Sequence, residues 1–390
     1  MAEPFFLTPL QKLARWLVLS SLAAVTALLP LSATAHEIRP AIADVLVTQD
    51  RLEMDIALSL EPLVAGMNLE GLADTGDSPE AETYDRARTL TPDRLAAEFR
   101  AVWPDIQQDL TVTAGGQPIA LTLNAVSVDP VGNTDLPRES HIRVAADLPP
   151  DGTPVTIGWA PAFGALIVRQ TLPADMDPAE GYSVYLMGGD FSDPIPRTGV
   201  ARQNWLDAFT NYLILGFEHI VPKGLDHILF VLGLFFFSLH LRPLLYQVSA
   251  FTLAHTATLA LATLGVLQIP SAIVEPLIAA SITYVAVENI FLNRLRPWRT
   301  VVVFCFGLLH GLGFAAVLGE IGLNPAHLIT GLVAFNIGVE LGQLFVIALA
   351  FITVGYWFGT KPWYRRVISV PASAAIAFVG AWWFVERALL

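Results

Sequence analysis

The sequence predicts a membrane all-α helical bundle, six spans plus a broken or interfacial outer helix, preceded by an extracytoplasmic, mainly β sandwich domain. Three observations carry this prediction. The 390 residues are 54% hydrophobic and only 15% charged, with a mean hydropathy of +0.55, which does not describe a soluble protein of this size. Charge is unevenly divided: residues 36–200 hold 26 Asp or Glu against 10 Arg and no Lys, whereas residues 201–390 hold 8 acidic and 10 basic side chains. Apolar runs of bilayer length recur from Leu206 onward. The formal charge of −13 argues against nucleic acid as a partner, because nothing basic enough exists to displace phosphate counterions. The single cysteine, Cys305, excludes an intramolecular disulfide and a cysteine-based metal cluster.

Taken in order, Lys12 and Arg15 precede an apolar run from Trp16 to Leu29, a helix-breaking Pro30 and the small triplet Ala33-Thr34-Ala35. That is the layout of a secretory signal peptide over residues 1–35, with an uncleaved anchor as the lesser alternative because the run is short for a span. Cleavage after Ala35 would leave His36 at the amino terminus, where an α-amine and an imidazole together make a minor candidate metal site.

Residues 36–200 are expected to form the acidic β-rich domain. Leu52 to Leu60 alternates apolar and polar side chains, the two-residue period of a half-buried strand. Further strands fit Leu110–Thr113, Ile119–Leu123, Ile142–Ala146, Val155–Trp159, Ala165–Gln170 and Tyr182–Met187, with Gly115-Gly116 and Asp151-Gly152 as turns, so an antiparallel sandwich is expected. One helical insertion is signalled by Thr91-Pro92 as N-cap and first-turn proline, with Leu95, Phe99 and Val102 on one face. The acidic stretch from Glu70 through Asp74 and Asp77 to Asp85 reads as a solvated loop. No catalytic constellation stands out in this half.

Residues 201–390 read as the transmembrane domain. Spans are expected at Leu225–Leu241, Leu244–Gly265, Ala272–Leu292, Thr300–Gly319, Leu328–Tyr356 and Val367–Val385. Trp205–Val221 is either a seventh span or an outer helix at the membrane surface, and loop charge decides. Starting outside, six spans put Arg242, Arg294, Arg296, Arg299, Lys361, Arg365 and Arg366 all in the cytoplasm, whereas seven would put them all outside. Trp205, Phe209, Tyr212 and Leu213 then form the apolar stripe of an interfacial helix, broken by Pro222-Lys223-Gly224.

Polar side chains at membrane depth cost about 2.5 kcal/mol or more unless paired or hydrated, yet this half carries many. His219, Asp226 and His227 flank the helix break, with Glu218 beside the first. His255, His310 and Glu340 fall midway along their spans, and Glu275, Glu288 and Asn289 lie toward span ends. Thr252 belongs to a stripe beside His255, and Asn336, Glu340 and Gln343 share one helical face. A path is expected with Asp226 and His227 at its entrance, helped by His219, with His255, His310 and Glu340 at mid-depth, and with Glu288 and Asn289 toward the cytoplasm. Imidazole with carboxylate suits Ni, Co, Zn or Fe(II), whereas Cu(I) would call for Cys or Met. The competing reading makes Asp226 a first-turn cap and the histidines interhelical hydrogen-bond glue.

At these residues the chain resembles the HupE/UreJ family. The shared strings are Gly216-Phe217-Glu218-His219 through Gly224-Leu225-Asp226-His227, then Thr252-Leu253-Ala254-His255-Thr256, Val274-Glu275 and Glu288-Asn289. Gly307 to Phe314 around His310, and Phe335-Asn336 through Glu340 to Gln343, complete the series. The resemblance implies nickel or cobalt uptake, or a hydrogenase or urease accessory role. Six residues separate His219 from Asp226, one more than in the nickel-permease branch, and only one His-Gly pair is present, so the metal stays open.

The leading expectation is a multi-pass permease of a bacterial inner membrane, its β domain periplasmic, that takes up a divalent transition metal. No tightly bound cofactor is expected beyond the transported ion, and the partners are the bilayer, the ion and a possible periplasmic protein on the β domain. The first alternative is a non-transporting scaffold; the second is an intramembrane metal-dependent hydrolase, against which no His-Glu-x-x-His pair or Gly-x-Ser-x-Gly elbow is found, so no enzyme is expected.

Overall fold

The structure, a computed structural model, describes residues 40–72, 75–134, 137–172, 181–267, 269–292, 294, 296, 298–313 and 327–389. The expected signal peptide, His36, Asp74 and the end of the fourth expected span lie outside these residues. Contacts divide the chain into two compact units: among the described residues, one takes 40–208 together with 327–331, and the other takes 209–313 and 332–389.

The first unit is a β-sheet domain. Strands β1 (Ala41–Val47) and β2 (Arg51–Leu58) bury every second residue, as their alternation requires. Three helices follow: α1 (Glu61–Ala65), α2 (Ala81–Arg88) and α3 (Pro92–Asp109). Then come β3 (Leu110–Ala114), β4 (Gln117–Pro118), β5 (Thr122–Val128), β6 (Ser140–Asp147), β7 (Val155–Trp159), β8 (Leu166–Gln170) and β9 (Ser183–Leu186). They form a six-stranded sheet in the order β5-β6-β2-β1-β8-β9 and a three-stranded sheet in the order β4-β3-β7. Both sheets and α3 share one core, in which Val45, Met54, Phe99, Ile157 and Leu166 are buried together.

Four expectations need correction. The sheets are not wholly antiparallel: β1 and β8 run parallel, Ala41 opposite Leu166, because the chain visits the second sheet at β7 before returning beside β1. A parallel pair needs such a long crossover and leaves no local turn signal. The strand expected at Ile119–Leu123 runs from Thr122 to Val128, with a bulge between Leu123 and Ala125. Three helices stand where one was expected, and Ala81–Arg88 takes up the end of the acidic loop. Thr91 occupies the N-cap of α3 but its side chain makes no capping hydrogen bond, and its carbonyl accepts from Leu95 instead. The Gly115-Gly116 turn has positive φ at both residues, which a two-residue type I′ hairpin between β3 and β4 demands.

The second unit is helical. Helices α6 (Leu241–Thr263), α7 (Ser271–Phe291), α9 (Leu328–Phe358) and α10 (Arg365–Leu389) are long and apolar enough to cross a membrane. Helices α4 (Trp205–Ile220) and α5 (Leu225–Phe237) pass the same test only together, and they meet at a 69° bend. Helix α8 (Arg299–Gly313) is shorter. Among the described residues, length and composition therefore give four spans, or five when α4 and α5 count as one. The first expected span, Leu225–Leu241, ends at Phe237 because Ser238 and His240 adopt extended backbone before α6 begins.

Glycines let two helix pairs close to backbone distance. A Cβ on Gly307 or Gly311 of α8 would collide with the carbonyl oxygens of Phe251 and His255 on α6. A Cβ on Gly216 of α4 would strike the Phe335 carbonyl, and one on Gly338 of α9 the Leu213 carbonyl. Such close approach substitutes for the hydrophobic drive that helices lack in lipid.

Candidate metal centre

The bend between α4 and α5 makes the centre. Val221-Pro222-Lys223-Gly224 stops α4 just after His219 and restarts the chain so that Asp226 and His227 occupy the first turn of α5. A carboxylate there is favoured by the positive end of the helix dipole. His255 comes from the middle of α6 and His310 from the last turn of α8. One ligand atom from each of His219, His227 and His255 lies within 4.8 Å of the other two, and the same holds for Asp226, His227 and His310. The two groups share His227, so five side chains form one continuous cluster.

The rings confirm how tightly they assemble. His227 lies 4.8 Å, centroid to centroid, from both His219 and His310, and 5.8 Å from His255. Phe251 and Phe230 pack against His310 at 5.0 and 5.2 Å, making the surroundings apolar. His255, His310 and His227 are 0%, 1% and 2% exposed.

Hydrogen bonds set which nitrogen of each imidazole carries the proton. Asp226 Oδ1 lies 2.9 Å from His227 Nδ1, so that nitrogen donates and Nε2 keeps the lone pair. Asn336 spends its amide on the Leu332 carbonyl at 2.7 Å, leaving Oδ1 to accept from His255 Nδ1 at 3.3 Å. Ser281 donates to the Ile278 carbonyl at 2.7 Å, so its oxygen accepts from His310 Nε2 at 3.1 Å. The remaining nitrogens, His227 Nε2, His255 Nε2 and His310 Nδ1, are buried and have no hydrogen-bond partner among the described residues. Three buried lone pairs held by outer-shell hydrogen bonds are the donor arrangement of an imidazole metal site.

The other expected site residues lie elsewhere. Asp226 and His227 are not a separate entrance: they join His255 and His310 in one cluster, because the helix break brings the start of α5 to them. Glu340 is not a member of either group. Its carboxylate accepts from Ser249 at 2.7 Å and from Thr252, itself 3.1 Å from Gln343, one turn along α6 from His255. Glu218 pairs with Lys223 at 2.8 Å, and Glu275 is exposed.

Glu288 and Asn289 do not line an open path. Both are engaged by Arg299, which was expected in a cytoplasmic loop and is instead 2% exposed within the bundle. Sequence reasoning missed Arg299 because it follows two loop arginines and precedes the apolar run by one residue. Ser281, through its place on α7, is the partner of His310. Cys305 is exposed and takes no part in the cluster.

A family model described as HupE / UreJ protein matches residues 196–387. No curated protein and no solved structure matches the chain.

Proposed function

We propose, from the premise that residues 196–387 belong to the HupE / UreJ protein family, that this multi-pass membrane protein is a permease that moves a divalent transition metal through the His-Asp cluster. The family is associated with nickel and cobalt transport and is of transporter type rather than an enzyme family. One observation carries the reading: three imidazole nitrogens of the cluster, His227 Nε2, His255 Nε2 and His310 Nδ1, are buried without hydrogen-bond partners among the described residues, while the other nitrogen of each ring is hydrogen-bonded. Each unpaired buried acceptor costs about 1–3 kcal/mol, a cost that helix glue would avoid and that a bound cation removes.

The donor set suits the cargo. Neutral imidazoles and one carboxylate suit Ni, Co, Zn or Fe(II) alike, and the family association singles out Ni or Co among them. A dication held by one carboxylate keeps a net positive charge: the carboxylate and imidazoles favour capture, and the uncompensated charge keeps binding weak enough for release, as a transport site requires. The site also lies at a broken helix, the place where transporters gather backbone and side-chain ligands.

Six crossings follow when α4 and α5 are one broken span and α8 is a span with α6, α7, α9 and α10. This arrangement puts Arg242, Arg294, Arg296, Lys361, Arg365 and Arg366 on one side, the cytoplasmic face of an inner membrane, and the acidic β domain on the other. That domain would gather cations or receive a periplasmic partner.

The test is uptake of Ni(II) or Co(II) by proteoliposomes holding the full chain, beside calorimetric binding of a panel of ions to the same protein in detergent. His227→Ala and His255→Ala should abolish both at unchanged expression and monodispersity. A scaffold would instead lose thermal stability while the wild type neither bound nor moved metal.

A further inference from the structure

The bundle holds a second polar level besides the metal cluster, organised by one cation. Arg299, the first residue of α8, pairs with Glu288 of α7 at 2.8 Å, with side-chain exposures of 2% and 8%. Its Nε donates to Gln247 of α6 at 3.2 Å, another guanidinium nitrogen donates to Asn289 Oδ1 at 3.0 Å, and its plane lies 4.0 Å from the ring of Phe237 at the end of α5. Asn289 in turn donates to the Gly233 carbonyl at 2.7 Å and to Ser373 of α10 at 3.1 Å. Four helices thus meet on one guanidinium, and a fifth, α10, joins them through Asn289.

This knot and the metal cluster are stacked along the same helices. Ten residues separate His227 from Phe237 on α5, eight separate Gln247 from His255 on α6, seven separate Ser281 from Glu288 on α7, and eleven separate Arg299 from His310 on α8. At 1.5 Å per residue these are offsets of about 15, 12, 11 and 16 Å. The offsets agree in size, and their direction alternates as antiparallel neighbours require. Below the cluster, the bundle is therefore closed by a level whose central group is positive.

Resting on the metal-transport reading, we infer that the Arg299 knot is the inner seal of the pathway: a cation leaving the histidines toward this end is rejected by the guanidinium until Arg299 releases Glu288, whose carboxylate then receives the ion. A buried ion pair adds little stability over well-packed apolar side chains of the same volume. Its chemistry as a switch is more telling, because the same carboxylate can be held by Arg299 or by the passing ion but not by both.

The test uses the full chain in proteoliposomes and Co(II) as the probe, with no other gradient imposed. Arg299→Gln should leak Co(II) about tenfold or more faster than wild type, the shift expected when a closed population is opened by one decade, with calorimetric Co(II) affinity unchanged. If Arg299→Gln does not fold, Arg299→Met, which removes the guanidinium and keeps the Glu288 carboxylate as the receiving group, should leak in the same way. A folded, Co(II)-binding variant that stays as tight as wild type overturns the seal and leaves the transport reading standing. Absence of Co(II) binding to the wild type overturns the transport reading itself.

Discussion

Asp226 Oδ1 accepts both the backbone N–H of His227, at 2.8 Å, and its ring nitrogen Nδ1, at 2.9 Å. One oxygen therefore fixes the backbone and the tautomer of the residue common to both halves of the metal cluster. An amide in this place could donate instead of accept, and would turn the lone pair of His227 the wrong way. Asp226→Asn is expected to weaken Co(II) binding about 10–100-fold, the usual effect of losing an outer-shell or ligating partner, without changing the elution profile of the purified protein. Calorimetry giving wild-type affinity would remove Asp226 from the site.

Ser281 and Asn336 touch no proposed cargo, yet they hold His310 and His255 in the right tautomers. Ser281→Ala and Asn336→Leu should each reduce metal affinity about 10–100-fold, while their thermal midpoints stay near wild type. Interhelical glue predicts the reverse: lowered midpoints measured by scanning fluorimetry, with no metal-linked change at all.

How far these features could be read from the sequence follows from where each signal resides. His219, Asp226, His227, His255 and His310 stood out because polar groups interrupt apolar runs, a contrast that needs no partner to be seen. Glu340 was grouped with them because helical spacing gives the face of a residue but not the neighbour that face meets; it meets Ser249 and Thr252. Arg299 was hidden at a helix start, where its neighbours Arg294 and Arg296 made it look like loop charge. In the β domain, alternation revealed β1 and β2, but the parallel β1–β8 pair depends on a crossover of more than a hundred residues. The short helices α1 and α2 carry too little periodicity to declare themselves.

On the solvent-facing side of β6, His141 bridges Asp55 at 3.0 Å and Glu139 at 3.2 Å, and Arg143 also reaches Asp55 at 3.1 Å. The Asp55 hydrogen bond raises the His141 pKa above the ordinary imidazole value. Burial pushes Asp55 up, but the hydrogen bonds from His141 and Arg143 outweigh it and the carboxyl ends below its ordinary value. The His141 contribution to stability is whole below about pH 6.5 and is lost as pH rises through its raised folded value, and that of Asp55 is whole above about pH 3.8 and is lost as pH falls through its lowered folded value. The two overlap between about pH 4 and 6.5. Both side chains are more than a third exposed, so screening holds the effect to about 1 kcal/mol or less. Calorimetric scans of His141→Gln should show the largest deficit against wild type near pH 5 and a shrinking one above pH 8; a deficit independent of pH would mean that the imidazolium plays no part.

Glu61 and Arg138 form the buried ion pair of the β domain, at 2.8 Å with side-chain exposures of 2% and 8%. Arg138 also donates to the carbonyls of Leu90 and Ala87, and so ties α1 and the end of α2 to the entry of β6. Removing one partner leaves a buried charge without its counterion, which costs about 3–5 kcal/mol, whereas removing both leaves chiefly unpaired carbonyls at about 1–3 kcal/mol. Glu61→Leu and Arg138→Leu should therefore each destabilise the domain more than the double substitution does. The measurement is the denaturant midpoint of the first unit in the full chain, followed by circular dichroism at strand wavelengths. If the double variant loses as much as the two singles combined, the pair is not coupled, and the two residues act through their separate carbonyl and packing contacts.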